Sequence, residues 1–97
     1  MSLAIPQGFS MAGVHSGVKR DPRKQDLSLV VSDRPASAAG VYTRNLVFAA
    51  PVALDSSRTP SDRIRVVVVN SGNANACTGE RGLEDAREMA RLAAEAC

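Results

Sequence analysis

Four consecutive β-branched residues, Val66 to Val69, constrain the fold of this chain more than any other feature. Branching at Cβ resists a helix, so Ile64 to Val69 is read as a strand. A run without polar alternation predicts burial on both faces and a central place in a sheet. The strand empties into Asn70 to Gly79, a loop of small and amide side chains. Beyond it Leu83, Ala86, Met89, Ala90 and Ala93 recur at helical spacing, with Glu84, Asp85, Arg87, Glu88 and Arg91 between them, which predicts an amphipathic helix over Leu83 to Ala96. Glu80, Glu84 and Asp85 suit the positive end of its dipole. No glycine stop precedes Cys97, so the pattern is read as cut in mid-helix.

The first half reads as β-rich. Gly8, Gly13 and Gly17 weaken any helix over Phe9 to Lys19 and suggest a bent or bulged strand. Lys19 to Lys24 reads as a solvated turn. In Asp26 to Ser32, Leu27, Leu29 and Val31 share one face while Asp26, Ser28 and Ser32 take the other, which predicts a half-buried strand. Asp33-Arg34-Pro35 is expected to turn, because proline fixes φ and biases its predecessor to extended geometry. Ala36 to Thr43 then resumes as a strand. Leu46 to Leu54 is read as a further apolar stretch, with Pro51 confining it to an edge or a strand end. Ser56 to Asp62 is expected to be a polar surface loop. The fold class that follows is α/β: a β-rich N-terminal half and then a strand-loop-helix unit.

Composition narrows the function classes. A chain of 97 residues can bury only a modest core, so residues 1–97 are read as a single incomplete domain. Residues 1 to 65 carry nine Lys or Arg against five Asp or Glu, and residues 66 to 97 carry three against five. That imbalance is too mild for nucleic acid, and the aromatic residues that could stack on bases are Phe9, Tyr42 and Phe48 alone. Cys77 and Cys97 have no metal-ligand spacing and are expected to be free thiols in a reducing compartment. No basic segment followed by an apolar one opens the chain, and no apolar run approaches membrane-spanning length. The expectation is a cytoplasmic protein with no membrane partner.

The chemistry, if this segment carries any, should gather at the Asn70 to Gly79 loop. Ligands in open α/β sheets collect at strand ends, and helix N-termini attract anions. Neither phosphate-loop fingerprint is present, so a nucleotide site would rest on Gly72, Gly79 and Gly82 alone. The amides of Asn70, Asn73 and Asn75 are read first as turn caps. Ser71, Cys77 and Thr78 are conceivable nucleophiles, but the sole histidine, His15, sits in a glycine-rich stretch expected to lie far from them. His15 finds no convergent donors for a metal.

Several stretches together resemble the start of the ornithine/glutamate N-acetyltransferase family of arginine biosynthesis. They are Pro6-Gln7-Gly8-Phe9 with Ala12-Gly13, Gly17-Val18-Lys19, Asp26-Leu27, Val41-Tyr42-Thr43-Arg44-Asn45, Ala49-Ala50-Pro51-Val52 and, most specific, Asn70-Ser71-Gly72-Asn73-Ala74-Asn75-Ala76-Cys77-Thr78-Gly79. The resemblance spans essentially the whole chain, in order and spacing.

The resemblance implies an enzyme that moves an acetyl group from N-acetylornithine to glutamate, some members also using acetyl-CoA, with small amino-acid substrates and no resident cofactor. It implies a precursor that cleaves itself into α and β chains, exposing a β-chain threonine as nucleophile with its own amine as base, beside an oxyanion hole. It implies an α/β/β/α sandwich built by both chains and an (αβ)2 assembly. The Ser-Thr-Gly-Val-Ile-Gly, Lys-Gly-Ser-Gly-Met-Ile and Ala-Thr stretches that carry this chemistry have no match here. No catalytic, substrate-binding, cofactor or metal residue is therefore assigned, and the 97-residue chain alone is expected to be inactive. It is also expected to be marginally stable or aggregation-prone, because Ile64 to Val69 would lack a neighbouring strand. The alternative from another class is a non-catalytic α/β binding or interaction module.

Overall fold

A computed structural model describes residues 4–97. The elements follow in the order β1 (Phe9–Val14), β2 (Leu27–Ala38), α1 (Ala50–Arg58), β3 (Ser61–Asn70) and α2 (Gly79–Ala96). The three strands form an antiparallel sheet in the order β1-β2-β3. The mixed α/β class is as the sequence predicts.

The sheet departs from expectation at its centre. β2, not the valine run, is flanked on both sides: Met11 faces Val30 across one ladder, and Val30 faces Val67 across the other. β3 forms the sheet edge among the described residues. Its valines alternate, with Val66 and Val68 half-buried and Val67 and Val69 about half exposed, at 52% and 51%. Period two therefore governs this strand although all four side chains are apolar.

The expected turn at Asp33-Arg34-Pro35 is instead a bulge inside one long strand. The register passes from Val31 opposite Val66 to Ala36 opposite Ile64, so the residues between share a single partner, Arg65. The Arg65 guanidinium donates from Nε and Nη2 to the Ser32 carbonyl at 3.2 and 3.1 Å, satisfying an acceptor that the slipped ladder leaves free. Pro35, which has no N–H to donate, sits where no ladder bond is demanded. The strand then ends at Ala38, short of the predicted Thr43.

Leu46 to Leu54 contributes a helix, not a strand. Pro51 lies in the first turn of α1, where a missing N–H costs nothing and φ is already helical. The helix carries on through Ser56 to Arg58, and β3 starts at Ser61, so the predicted polar loop shrinks to two residues. α2 also begins four residues earlier than its apolar pattern, at Gly79. β1 stops at Val14, leaving His15 to Lys19 in the connecting loop.

α2 takes the sheet face that carries Leu27, Leu29 and Val68, opposite which lie Met89, Leu92 and Ala93, and α1 packs against α2. Leu54 of α1 is the one buried hydrophobic side chain among the described residues, and its burial contributes on the order of 2 kcal/mol. The opposite sheet face bears Phe9, Met11, Val67 and Val69, exposed between 40% and 56%. No helix is long and apolar enough to cross a membrane among the described residues.

Candidate functional site at the strand-loop-helix junction

Asn70 to Gly79 runs from the end of β3 to the start of α2, and its path is fixed by side-chain hydrogen bonds in place of a ladder. Asn70 Nδ2 donates to the Asn73 carbonyl at 2.9 Å. Asn75 Nδ2 donates to the Gly82 carbonyl at 2.7 Å, while its Oδ1 accepts from the Thr78 hydroxyl. The Asn75 carbonyl also accepts the Ala50 N–H at 3.2 Å, giving one free donor at the start of α1 a partner. Asn75 thus joins the loop to both helices. Cys77 and Gly79 take positive φ, at 56° and 63°, so the chain reverses sharply just before α2. The Asn70 amide caps the loop's own turn, as read from the sequence, whereas the Asn75 amide ties the loop to α2.

A cleft of about 490 Å³ opens between this loop, α1, α2 and the sheet. Asn70, Asn73, Asn75 and Thr78 line it with the carboxylates of Asp55 and Asp85, over an apolar floor that includes Leu27, Leu54, Val68 and Met89. Among the described residues no lysine or arginine lines it. Such a wall can hydrogen-bond amide, hydroxyl and ammonium groups; it offers a phosphate no countercharge, which argues against the nucleotide reading.

The second rim comes from the β1-β2 connection, and here the sequence reading missed the organising residue. Asp26 was placed on the solvent face of its strand, yet it is buried, at 2% exposure. Its Oδ1 accepts the Ser16 amide and the Ser16 hydroxyl, each at 2.6 Å, and its Oδ2 accepts the Lys19 amide at 3.0 Å. The Ser16 hydroxyl holds the Asp26 carboxyl well below the usual carboxylate range, outweighing the opposing effect of burial, and the Lys19 and Ser16 amides and His15 lower it further. The signal available was a run of turn amides, Ser16 to Lys19, in need of an acceptor.

His15 is nearer the loop than expected, because its own loop abuts it: Asp26 O accepts the Ser71 N–H at 2.9 Å. Its Nδ1 faces the Lys24 carbonyl at 2.9 Å and Asp26 Oδ2 at 3.4 Å. Both are acceptors, so Nδ1 carries the proton. That nitrogen is committed to them, which leaves Nε2 as the ring's acceptor. Cys77 and Cys97 are free and exposed. No group of three or more His, Cys, Asp or Glu is placed to hold a metal among the described residues.

A strand delivering its last residue into a polar loop, with a helix leaving from the far side and a cleft beneath, places the chain in the class of mixed α/β proteins built on an antiparallel sheet. Residues 10–97 match the profile of the ArgJ family. The chain is 57% identical over 89 residues to the arginine biosynthesis bifunctional protein ArgJ of Geobacter sulfurreducens, covering 92% of this chain and 22% of that protein. It is 56% identical to the protein of the same name from Symbiobacterium thermophilum, covering 97% of this chain and 24% of that one. Its structure superposes on the crystal structure of ArgJ from Bacillus halodurans with a TM-score of 0.82 at 48% identity, over 92% of this chain and 46% of the other. Against ornithine acetyltransferase of Mycobacterium tuberculosis complexed with ornithine, the TM-score is 0.77 at 48% identity, over 84% and 42%. The chain belongs to the ArgJ family. It spans about a quarter of the length of the curated relatives it matches.

Proposed function

We infer that this chain is the N-terminal part of an ornithine/glutamate N-acetyltransferase, which carries an acetyl group from N-acetylornithine to glutamate in arginine biosynthesis. The observation that carries the reading is the match in both sequence and backbone to an ornithine acetyltransferase solved with ornithine bound. The word bifunctional in the relatives' name suits a second donor, acetyl-CoA. The nucleophilic threonine, its amine base and the oxyanion hole belong to the part of the protein beyond these residues, and the reaction takes place in the cytoplasm.

Cleavage of a precursor into two chains is supported by lengths. The same 92% share of this chain fills 46% of the solved Bacillus halodurans chain but 22% of the Geobacter sulfurreducens protein, so the solved chain is about half as long. Residues 1–97 are one incomplete domain in this reading. The rest of the α chain and the β chain complete an α/β/β/α sandwich by covering Phe9, Met11, Val67 and Val69, whose exposure would be costly in a finished protein. Two αβ units then assemble.

The test is to incubate the full-length protein with N-acetylornithine, quench it, and map the acetyl adduct by peptide mass spectrometry. The adduct is expected on a threonine outside residues 4–97. An adduct inside them, or none at all, contradicts the proposal.

A further inference from the structure

The geometry points to Asp26 as a positioning residue for the cleft, holding its two rims together without touching substrate. This inference rests on the acetyltransferase reading, with the Asn70 to Gly79 cleft facing a substrate.

The Asp26 side chain has no accessible surface, and its carboxylate meets Ser16 N, Ser16 Oγ and Lys19 N at 2.6, 2.6 and 3.0 Å, with His15 Nδ1 at 3.4 Å. All of these partners lie in the connection between β1 and β2, a segment with no ladder of its own. Two of its residues, Ser16 and Val18, line the cleft. The next, Lys19, lays its stem on the opposite rim: a Cβ added to Gly72 would come within 2.8 Å of Lys19 Cγ. Gly72 also stands at φ 97°, so backbone conformation and space both select glycine there. The Asp26 carbonyl then takes the Ser71 N–H at 2.9 Å.

One residue therefore pins the Ser16 to Lys19 wall by its side chain and the Asn loop by its main chain. Removing the carboxylate leaves the main-chain bond and frees the wall. The cost should fall on the cleft before it falls on the sheet, since β2 and β3 are held by their own ladder.

The experiment compares the full-length protein with its Asp26→Asn and Ser16→Ala variants by hydrogen exchange and by steady-state acetyl transfer to glutamate. Amides of residues 16–19, and through the Lys19 stem on Gly72 those of the loop residues 72–79, are expected to accelerate roughly tenfold more than the β2-β3 ladder amides, and KM for glutamate to rise roughly tenfold with kcat changed by less than about threefold. Equal acceleration of loop and ladder, an unchanged loop, or a loosened loop with unaltered KM overturns the inference. Ser16→Ala keeps the carboxylate and its two main-chain donors, the residue 16 and Lys19 amides, so it answers the question if Asp26→Asn does not fold. Lack of turnover by the unsubstituted protein defeats the acetyltransferase reading instead, and the exchange ratio still decides whether Asp26 couples the two rims.

Discussion

Replacing Asp26 with asparagine lowers the thermal midpoint of the full-length protein by roughly 5 °C and removes part of its acid sensitivity. The asparagine oxygen can still accept from Ser16, but its NH2 then confronts the Lys19 N–H and His15 Nδ1, donors that Oδ2 now accepts. A buried donor left without an acceptor loses the whole of its solvation, so the exchange is far from conservative. The pH dependence follows from the direction of the shift. The folded carboxyl titrates below its ordinary value, so the unfolded chain binds the proton more readily. The stability contributed by Asp26 is complete above the unfolded value, about 3.9, and is lost as pH falls through the depressed folded value. Urea midpoints should therefore separate the two proteins most near neutral pH and converge at the acid end. A gap that persists undiminished in acid contradicts the assignment of the carboxylate as the acting group.

Gly82→Ala is expected to destabilise the protein by about 2 kcal/mol, against the ordinary rule for helices. Alanine in place of a helical glycine normally gains about 1 kcal/mol. Here a Cβ on Gly82 would overlap the Thr78 hydroxyl and stand 2.5 Å from Asn75 Oδ1, the pair whose hydrogen bond closes the loop onto α2. Overpacking of this kind costs about 1–3 kcal/mol, and each hydrogen bond broken in making room adds about 1 kcal/mol. The clash wins. Thermal unfolding of the Gly82→Ala protein measures it, and Gly82→Ala combined with Thr78→Ser should recover part of the loss by removing the methyl that stops the hydroxyl from turning away. A Gly82→Ala protein as stable as the original would contradict the tight loop-helix joint.

The strand-loop-helix unit was legible in the sequence because local physics suffices there. Crowded valines prefer extended backbone, and Leu83, Ala86, Met89, Ala90 and Ala93 share one helical face. What failed needed tertiary information. The run Val66 to Val69 cannot reveal which neighbour pairs with it, so it was placed centrally although β2 holds that position. Pro51 was read as a strand end, whereas proline suits the first turn of a helix equally well, and there the Ala50 N–H finds the Asn75 carbonyl. Pro35 suggested a turn because nothing local announces that Arg65 will satisfy the Ser32 carbonyl across a bulge.

The site divides in the same way. The Asn70 to Gly79 loop stood out by composition, and the family resemblance on it was correct. Asp26 did not stand out, since alternation with Leu27 and Leu29 put it on the polar face, and its burial depends on a loop that folds back over it. His15 was judged remote by sequence distance, while the pairing of β1 with β2 carries its loop to the end of β3.

The most direct measurement is acetyl transfer from N-acetylornithine to glutamate by the full-length protein and by the 97-residue chain, assayed side by side. The account predicts turnover by the full-length protein and none by the chain alone, because the proposed nucleophile is a threonine outside residues 1–97. Turnover by the chain alone, or by neither protein, would contradict it.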